Sequence, residues 1–305
     1  MNKINSVNSN LFFDTKLDFT YFKYIKFCQA LIDSGLKILT LKDYLSMNEL
    51  PEKFAIIRHD IDDESDLAYA MKMAEAEYEL GFKTTYYFRS NEKVFNVDYI
   101  KRISGFGHEI GYHYEVLGEA DGDFEEAIKL FESNLDKFRK ICEIKTIAQH
   151  GGPLKNGLNV ISFSNVLEII MQTLRGQRIF DNWESKELWK RYDFKTYGII
   201  GEPYLSLNFD EIMYLSDTNR SWVDTRYRIK DKIQSRRAIG VYNIKCTEDI
   251  IQELKSGRLR KVHILIHPSN WKDNFSDWTK WLLLQQIRTI GKRVLIIFWK
   301  AKLNS

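Results

Sequence analysis

The residues of this chain best equipped for chemistry are Asp60 and Asp62, in the stretch FAIIRHDIDDE over residues 54–64, together with His59, His113, His150 and His267. Asp60 and Asp62 stand two apart, so on an extended backbone both side chains point the same way. Two carboxylates on one side repel unless a cation lies between them or one is protonated. Imidazole plus carboxylate is a ligand set for Zn²⁺ or a similar divalent ion, with an open position left for water. A bound water of lowered pKa, a carboxylate base and a histidine acid together make a hydrolytic site. The bland reading of residues 54–64 is a solvated acidic loop in which Asp63 and Glu64 start a helix. That stretch alone does not choose between the two.

The elements that must position these groups are strands. Phe54–Ile57 is apolar and ends in two β-branched residues, as a buried strand does, and it gives way at Arg58 to charged residues. Residues 84–88 (TTYYF), 109–112 (EIGY), 145–148 and 262–266 read as further strands. His113, His150 and His267 fall at the carboxyl ends of the last three, and His59 at that of the first. Ligands and chemistry in α/β folds gather at such ends. A lone histidine there is more often a satisfied rim residue. Four of them, beside Asp60 and Asp62, are harder to dismiss. His108 precedes its strand and reads as structural, and His263 lies within a strand and reads as packed.

Between the strands, residues 19–34, 41–47, 64–80, 97–104 and 124–141 space apolar side chains helically. Gly35 is the expected C-cap of the first and Gly81 closes the third. Alternating strands and helices predict right-handed βαβ units, hence a parallel sheet or barrel. Residues 197–200 and 212–216 read as two more strands, and 248–255 as a helix capped by Thr247. Residues 278–300 form a basic amphipathic segment. It reads as a helix packed across the barrel, with peripheral membrane contact as the competing reading.

With 305 residues, the chain is long enough for one large α/β domain or two small ones. No linker composition divides it, and we expect a single domain over residues 1–305. Hydrophobic residues at 44% and charged residues at 29% are ordinary for a soluble protein. A net charge of +3 is too small to argue for nucleic acid. Three cysteines, Cys28, Cys142 and Cys246, lie far apart and read as reduced residues of a cytoplasmic protein. No apolar core of signal-peptide length opens the chain, and no uncharged apolar run is long enough to span a membrane.

RHDID, then GHEIGYHYE, then LIHP resemble, in that order, the motifs of the polysaccharide deacetylases of the NodB-homology group. The resemblance runs from about residue 36 to about residue 271. HGGPL, GEPYLSL and YLSDTNRSW bring it nearest to the branch found with bacterial surface-polysaccharide and O-antigen genes. It implies an α/β fold, a distorted (β/α) barrel, and removal of an acyl group, N-acetyl above all, from a sugar or glycan precursor with one divalent ion, Zn²⁺ by preference. An amino sugar, nucleotide sugar or lipid-linked glycan would be the partner.

Carried over motif by motif, Asp60 matches the base, Asp62 a metal ligand, and His113 the first histidine of a His-x-x-x-His pair. Leu117 stands where the second would be, which leaves the third ligand to His150 by preference or to Glu115. The family's groove arginine is absent at His150–Pro153, so Arg58 or Arg220 would orient Asp60. Asp217 to Trp222 resembles the Asp/Trp motif that lines the groove and tunes the acid, and His267 matches the acid itself. Arg58, Glu115, Arg220 and Trp222 would meet the substrate. Residues 155–180 look like an insertion relative to that branch.

Leu117 also raises a second expectation, a catalytically silent relative that binds or scaffolds glycan assembly. A metal phosphoesterase is a third, set aside because two-metal chemistry needs more carboxylates at the other strand ends.

Overall fold

A computed structural model describes residues 17–151, 184–222 and 244–286. The insertion expected at 155–180 and the expected tail beyond residue 286 lie outside the described residues.

The described elements run α1 (Tyr21–Asp33), β1 (Lys37–Leu39), α2 (Leu41–Ser46), β2 (Phe54–Ile61), α3 (Glu64–Glu79), β3 (Thr85–Phe88), α4 (Val97–Gly105), β4 (Glu109–Tyr114), α5 (Val116–Glu119), α6 (Phe124–Arg139), β5 (Ile147–Gln149), α7 (Pro203–Ser206), β6 (Met213–Ser216), α8 (Thr247–Lys255) and β7 (Lys261–Ile266). Among the described residues the strands form one sheet, in the order β5-β4-β3-β2-β7-β6, with β1 also paired to β2. Every pairing is parallel. β1 takes the first half of β2, Phe54 to Ile56, and β3 takes its second half, Arg58 to Ile61. Two strands thus share one edge of β2, and the sheet curls into a half-barrel with all carboxyl ends on one rim. Closure into a complete barrel is not seen among the described residues.

Parallel sheets are covered on both faces, so their strands read as nearly continuous buried runs. All eight residues of β2 are buried. Alternation then sorts them. Phe54 and Ile56 face the inside of the curl, where they meet Leu39, Tyr87 and Ala148. Ala55 and Ile57 face outward onto α1 and α8 through Phe27, Leu31, Ile250 and Leu254. A third cluster packs β3 and β4 against α3, α4 and α6 through Tyr86, Tyr112, Ile100 and Phe131.

The motif glycine Gly111 has a steric reason. A Cβ there would lie 2.2 Å from Cε1 of Tyr87, whose ring crosses β4 inside the curl. Gly35, just beyond α1, has φ +71°, a left-handed conformation that a side chain strains.

Three local expectations are corrected. β2 does not end at Arg58, as a strand over residues 54–58 would, but runs on through His59 and Asp60 to Ile61, because β3 and β7 flank that half. Residues 197–200 are not a strand. A one-turn 3-10 helix, Phe194–Tyr197, is stopped by Gly198 at φ 68°, and only a bridge from Gly201 to Thr146 reaches the sheet. Thr247 is the first residue of α8 and not its cap, because the Asp249 carboxylate takes the Cys246 N–H at 3.0 Å and moves the capping box back by one.

Candidate active site

Asp62 sits just past the end of β2, and three imidazoles face it from three other strands. His113 Nε2, inside β4, is 3.1 Å from Asp62 Oδ1. His150 Nε2, directly after β5, is 3.9 Å from the same oxygen. His267 Nε2, directly after β7, is 3.6 Å from Asp62 Oδ2. His113 Nε2 also stands 3.5 Å from Asp60 Oδ2. The curl of the sheet makes this convergence possible, since β4 and β5 lie beyond β3 on one side of β2 and β7 lies on the other.

Each ring is held from behind through Nδ1. His113 Nδ1 donates to the Ala148 carbonyl at 2.9 Å. His150 Nδ1 donates to Glu115 Oε2 at 2.6 Å. His267 Nδ1 donates to Asp217 Oδ1 at 2.6 Å. A carbonyl and two carboxylates accept only, so the Nδ1 proton is fixed in all three rings. In the neutral ring, Nε2 then carries a lone pair aimed at a carboxylate. That contact is repulsive unless Nε2 takes a proton or a cation lies between.

Charge decides this for His267. Burial alone would lower its pKa, but the charge and hydrogen bond of Asp217, with Asp62 and Asp60 nearby, outweigh burial and raise it to about 10. Burial would raise the Asp62 carboxyl, yet His150, His113 and His267 hold it well below the usual carboxylate range.

Asp60 and Arg58 face the inside of the curl from adjacent inward positions of β2. Arg58 donates to Asp60 Oδ2 at 3.1 Å and to the Tyr204 hydroxyl at 2.6 Å, with its guanidinium 4.7 Å from the Tyr204 ring centre. Of the two arginines expected to orient Asp60, Arg58 makes the contact. Arg220 instead reaches the Asp18 carbonyl and lies over the Phe19 and Trp278 rings.

Other expected site residues are positioned differently. Glu115 has its carboxylate engaged by His150 on one oxygen and Arg89 on the other. Trp222 is only 1% exposed, with Phe19, Phe27 and Trp271 around its ring and its Nε1 donating to Thr247. This ring is core and its expected role at a groove is withdrawn. Leu117 is fully buried in the cluster between the sheet and α6, so position 117 faces away from the rim. His59 points outward to Glu77 at 2.8 Å, His108 is bound to Thr84 N–H and the Ala74 carbonyl, and His263 is buried against the Tyr214 ring.

Sequence reasoning missed Arg89, which donates to the Asp62 carbonyl at 3.0 Å and pairs with Glu115. It also missed Tyr204, and Glu202, whose carboxylate takes the Gln149 N–H at 3.1 Å. Arg89 directly follows β3, the same strand-end signal that marked the histidines.

Among the described residues, no group of three or more His, Cys, Asp or Glu side chains has the arrangement of a metal site. The donor chemistry nevertheless fits a divalent cation. Asp60 Oδ1 and Asp62 Oδ1 are buried without a hydrogen-bond partner among the described residues, and three Nδ1-anchored imidazoles turn Nε2 toward them.

Curated proteins of Rickettsia rickettsii, Rickettsia conorii and Rickettsia peacockii match part of the chain. Each is named a deoxyguanosinetriphosphate triphosphohydrolase-like protein and is 25% identical over 151 residues, which is 49% of this chain and 37% of the relative. The chain therefore spans little more than a third of the length of these relatives. No family model matches the chain, and no solved structure matches it. The relatives' names speak of a nucleoside triphosphate and its hydrolysis, and of no sugar or acyl group. They overturn the expected carbohydrate deacetylase, its sugar, nucleotide-sugar or lipid-linked glycan partner, its O-antigen setting and the silent glycan scaffold. Among the described residues no helix is long and apolar enough to cross a membrane.

Proposed function

We propose that this chain is a metal-assisted hydrolase of a nucleoside triphosphate. The observation that carries the reading is the convergence of His113, His150 and His267 on Asp62, each ring anchored through Nδ1. The relatives' names supply the substrate class.

Asp62, His113 and His150 would hold one divalent ion, with Zn²⁺ the identity their donors suit. Bound there, the ion would stabilise negative charge developing on phosphoryl oxygens. Asp60 accepts a proton from the attacking water, and Arg58 fixes the orientation of its carboxylate. His267 gives its Nε2 proton to the departing oxygen, and Asp217 stabilises the imidazolium before the transfer. One water adds across one P–O bond: its oxygen goes to phosphorus with one proton, its other proton goes to Asp60, and His267 supplies the proton of the departing oxygen. Exchange with solvent then takes the proton from Asp60 and restores one to His267.

A two-metal site is not required by this reading, because Arg58, Arg89 and His267 already bring positive charge to the same rim. We further take the curled sheet as the described part of a distorted (β/α) barrel, in one domain over residues 1–305. A cytoplasmic setting suits both the substrate class and the free cysteines, Cys28, Cys142 and Cys246. The motif resemblance supports that scaffold alone.

The test is product analysis by phosphorus NMR on the full chain, stripped with chelator and reloaded with Zn²⁺ or Mn²⁺, against deoxynucleoside and ribonucleoside triphosphates. Metal-dependent release of phosphate, pyrophosphate or triphosphate is expected, reduced about 10²–10⁴-fold in Asp60→Asn. A folded, metal-loaded wild type that hydrolyses none of these nucleotides sinks the reading.

A further inference from the structure

Helix α3 opens with a capping box: Asp63 is the N-cap, and the side chain of Asp66 reaches back to the cap backbone. Asp66 does more than the box requires. Its carboxylate, 2% exposed, meets three backbone N–H groups from two different loops. Oδ2 accepts from Asp62 N and from Asp63 N, both at 3.0 Å. Oδ1 accepts from Ser269 N at 2.8 Å, a partner 203 residues away along the chain.

Those two loops carry the two halves of the site. Asp62 belongs to the first. Ser269 stands two residues after His267, in the single 3-10 turn Pro268–Asn270. Within His267–Pro268–Ser269, proline has no N–H, and the two available N–H groups both end on buried carboxylates. His267 N donates to Asp217 and Ser269 N to Asp66. The turn is thereby pinned at both ends, to β6 on one side and to α3 on the other.

We propose that Asp66 is a positioning residue that sets the separation of Asp62 and His267, whose Oδ2 and Nε2 stand 3.6 Å apart. It acts through the backbone of both loops and touches neither substrate nor reacting atoms. Helix capping alone needs only the oxygen that serves Asp62 and Asp63. The second oxygen converts a cap into a tether between the two strand ends. The role in hydrolysis rests on the function proposed above; the tether does not.

Asparagine separates the two duties, because it has one carbonyl oxygen and its NH₂ cannot accept. Asp66→Asn therefore keeps the cap, where its one oxygen meets two N–H groups, and sets its NH₂ against the Ser269 N–H, so the tether is lost. Asp63→Ala is the control, since it weakens the same helix end and leaves the Ser269 bond in place. The first readout is amide hydrogen exchange over residues 267–271. Exchange there should quicken at least roughly 10-fold in Asp66→Asn and stay at the wild-type rate in Asp63→Ala. The second readout is Zn²⁺ or Mn²⁺ affinity by calorimetry, expected to fall about 10–100-fold in Asp66→Asn only. Wild-type exchange at residues 267–271 in a folded Asp66→Asn chain would overturn the proposal, as would an equal quickening in the control. Should Asp66→Asn not fold, the wild-type Ser269 amide decides: the tether requires it to exchange roughly 100-fold slower than an unbonded amide, and fast exchange refutes it. If the chain binds no metal and hydrolyses no nucleotide, the function proposed above fails while the exchange readouts still judge Asp66.

Discussion

Asp217 grips His267 twice. Both its oxygens accept from the His267 backbone N–H at 3.0 Å, and Oδ1 also accepts from the ring Nδ1 at 2.6 Å. Trp271 Nε1 adds a third donor at 2.9 Å to a carboxylate that is fully buried. The ring is left with only Nε2 facing the rim, and it carries a proton there across the neutral range.

That arrangement predicts the alkaline limb of the rate profile. His267 must be protonated to donate, and with its pKa raised to about 10 the rate should hold until pH approaches 10 and fall above it. Asp217→Asn removes the charge that does most to raise the value, so the limb should move down toward about 6.5. Rates measured from pH 6 to 11 for the two proteins check this. A limb unmoved by the substitution removes His267 from the proton transfer.

Asp62→Ala and His113→Ala should each abolish tight binding of a divalent ion by calorimetry, with melting temperatures held near wild type. Each deletes a donor facing the shared point between β2 and β4. Full metal affinity in both variants would move the ion elsewhere.

Glu115→Gln should weaken ion binding by about 10–100-fold without removing a donor from the point itself. The neutral amide no longer compels His150 to keep its proton on Nδ1, and Arg89 loses its charged partner. A calorimetric titration that matches wild type would show that His150 needs no such anchor.

Glu77 should be a stability residue with an acid signature. It is fully buried, and its carboxylate takes hydrogen bonds from Tyr24, Thr84 and Tyr86 and pairs with His59. Burial raises its pKa, but the charge and hydrogen bond of His59, then His108 and Tyr24, overcome that and bring it to about 2. A carboxyl lowered in the fold contributes stability above its unfolded value of about 4.5, and loses that contribution as pH falls toward 2. Urea midpoints should therefore drop between pH 4.5 and 2 in wild type and drop less in Glu77→Gln. The variant itself should cost about 3–5 kcal/mol at pH 7, because it breaks a buried pair.

Gly111→Ala should destabilise by about 1–3 kcal/mol in thermal melts, since the new methyl would overlap the Tyr87 ring. Pairing it with Tyr87→Leu should recover part of the loss. A melt unchanged in Gly111→Ala would mean that Tyr87 swings aside at no cost.

Much of the scaffold was legible because helix and strand periodicities are local. The apolar runs ending in RHD, in GYH and in LIH marked strand ends, and the glycines after α1 and α3 marked helix ends. Errors arose where distant partners chose the outcome. β2 continues through charged residues because β3 and β7 supply ladder partners as far as Ile61 and His59 respectively. Residues 197–200 have a strand-like composition, yet only Gly201 finds a bridge. Trp222 looked like a groove residue from its motif, but Phe19, Phe27 and Trp271 enclose it.

The sequence by itself determined which residues could carry chemistry and that His113, His150 and His267 fall at strand ends, because side-chain alternation and strand length are properties of short segments. Tertiary structure alone decided which imidazole nitrogen faces Asp62. That choice depends on acceptors brought from 35 residues away for His113 and His150, and from 50 for His267. Parallel strands pair only after a long crossover, so no local pattern encodes who stands behind each ring. The curl of the sheet, set by β1 and β3 sharing one edge of β2, is what turns separate strand ends into one site.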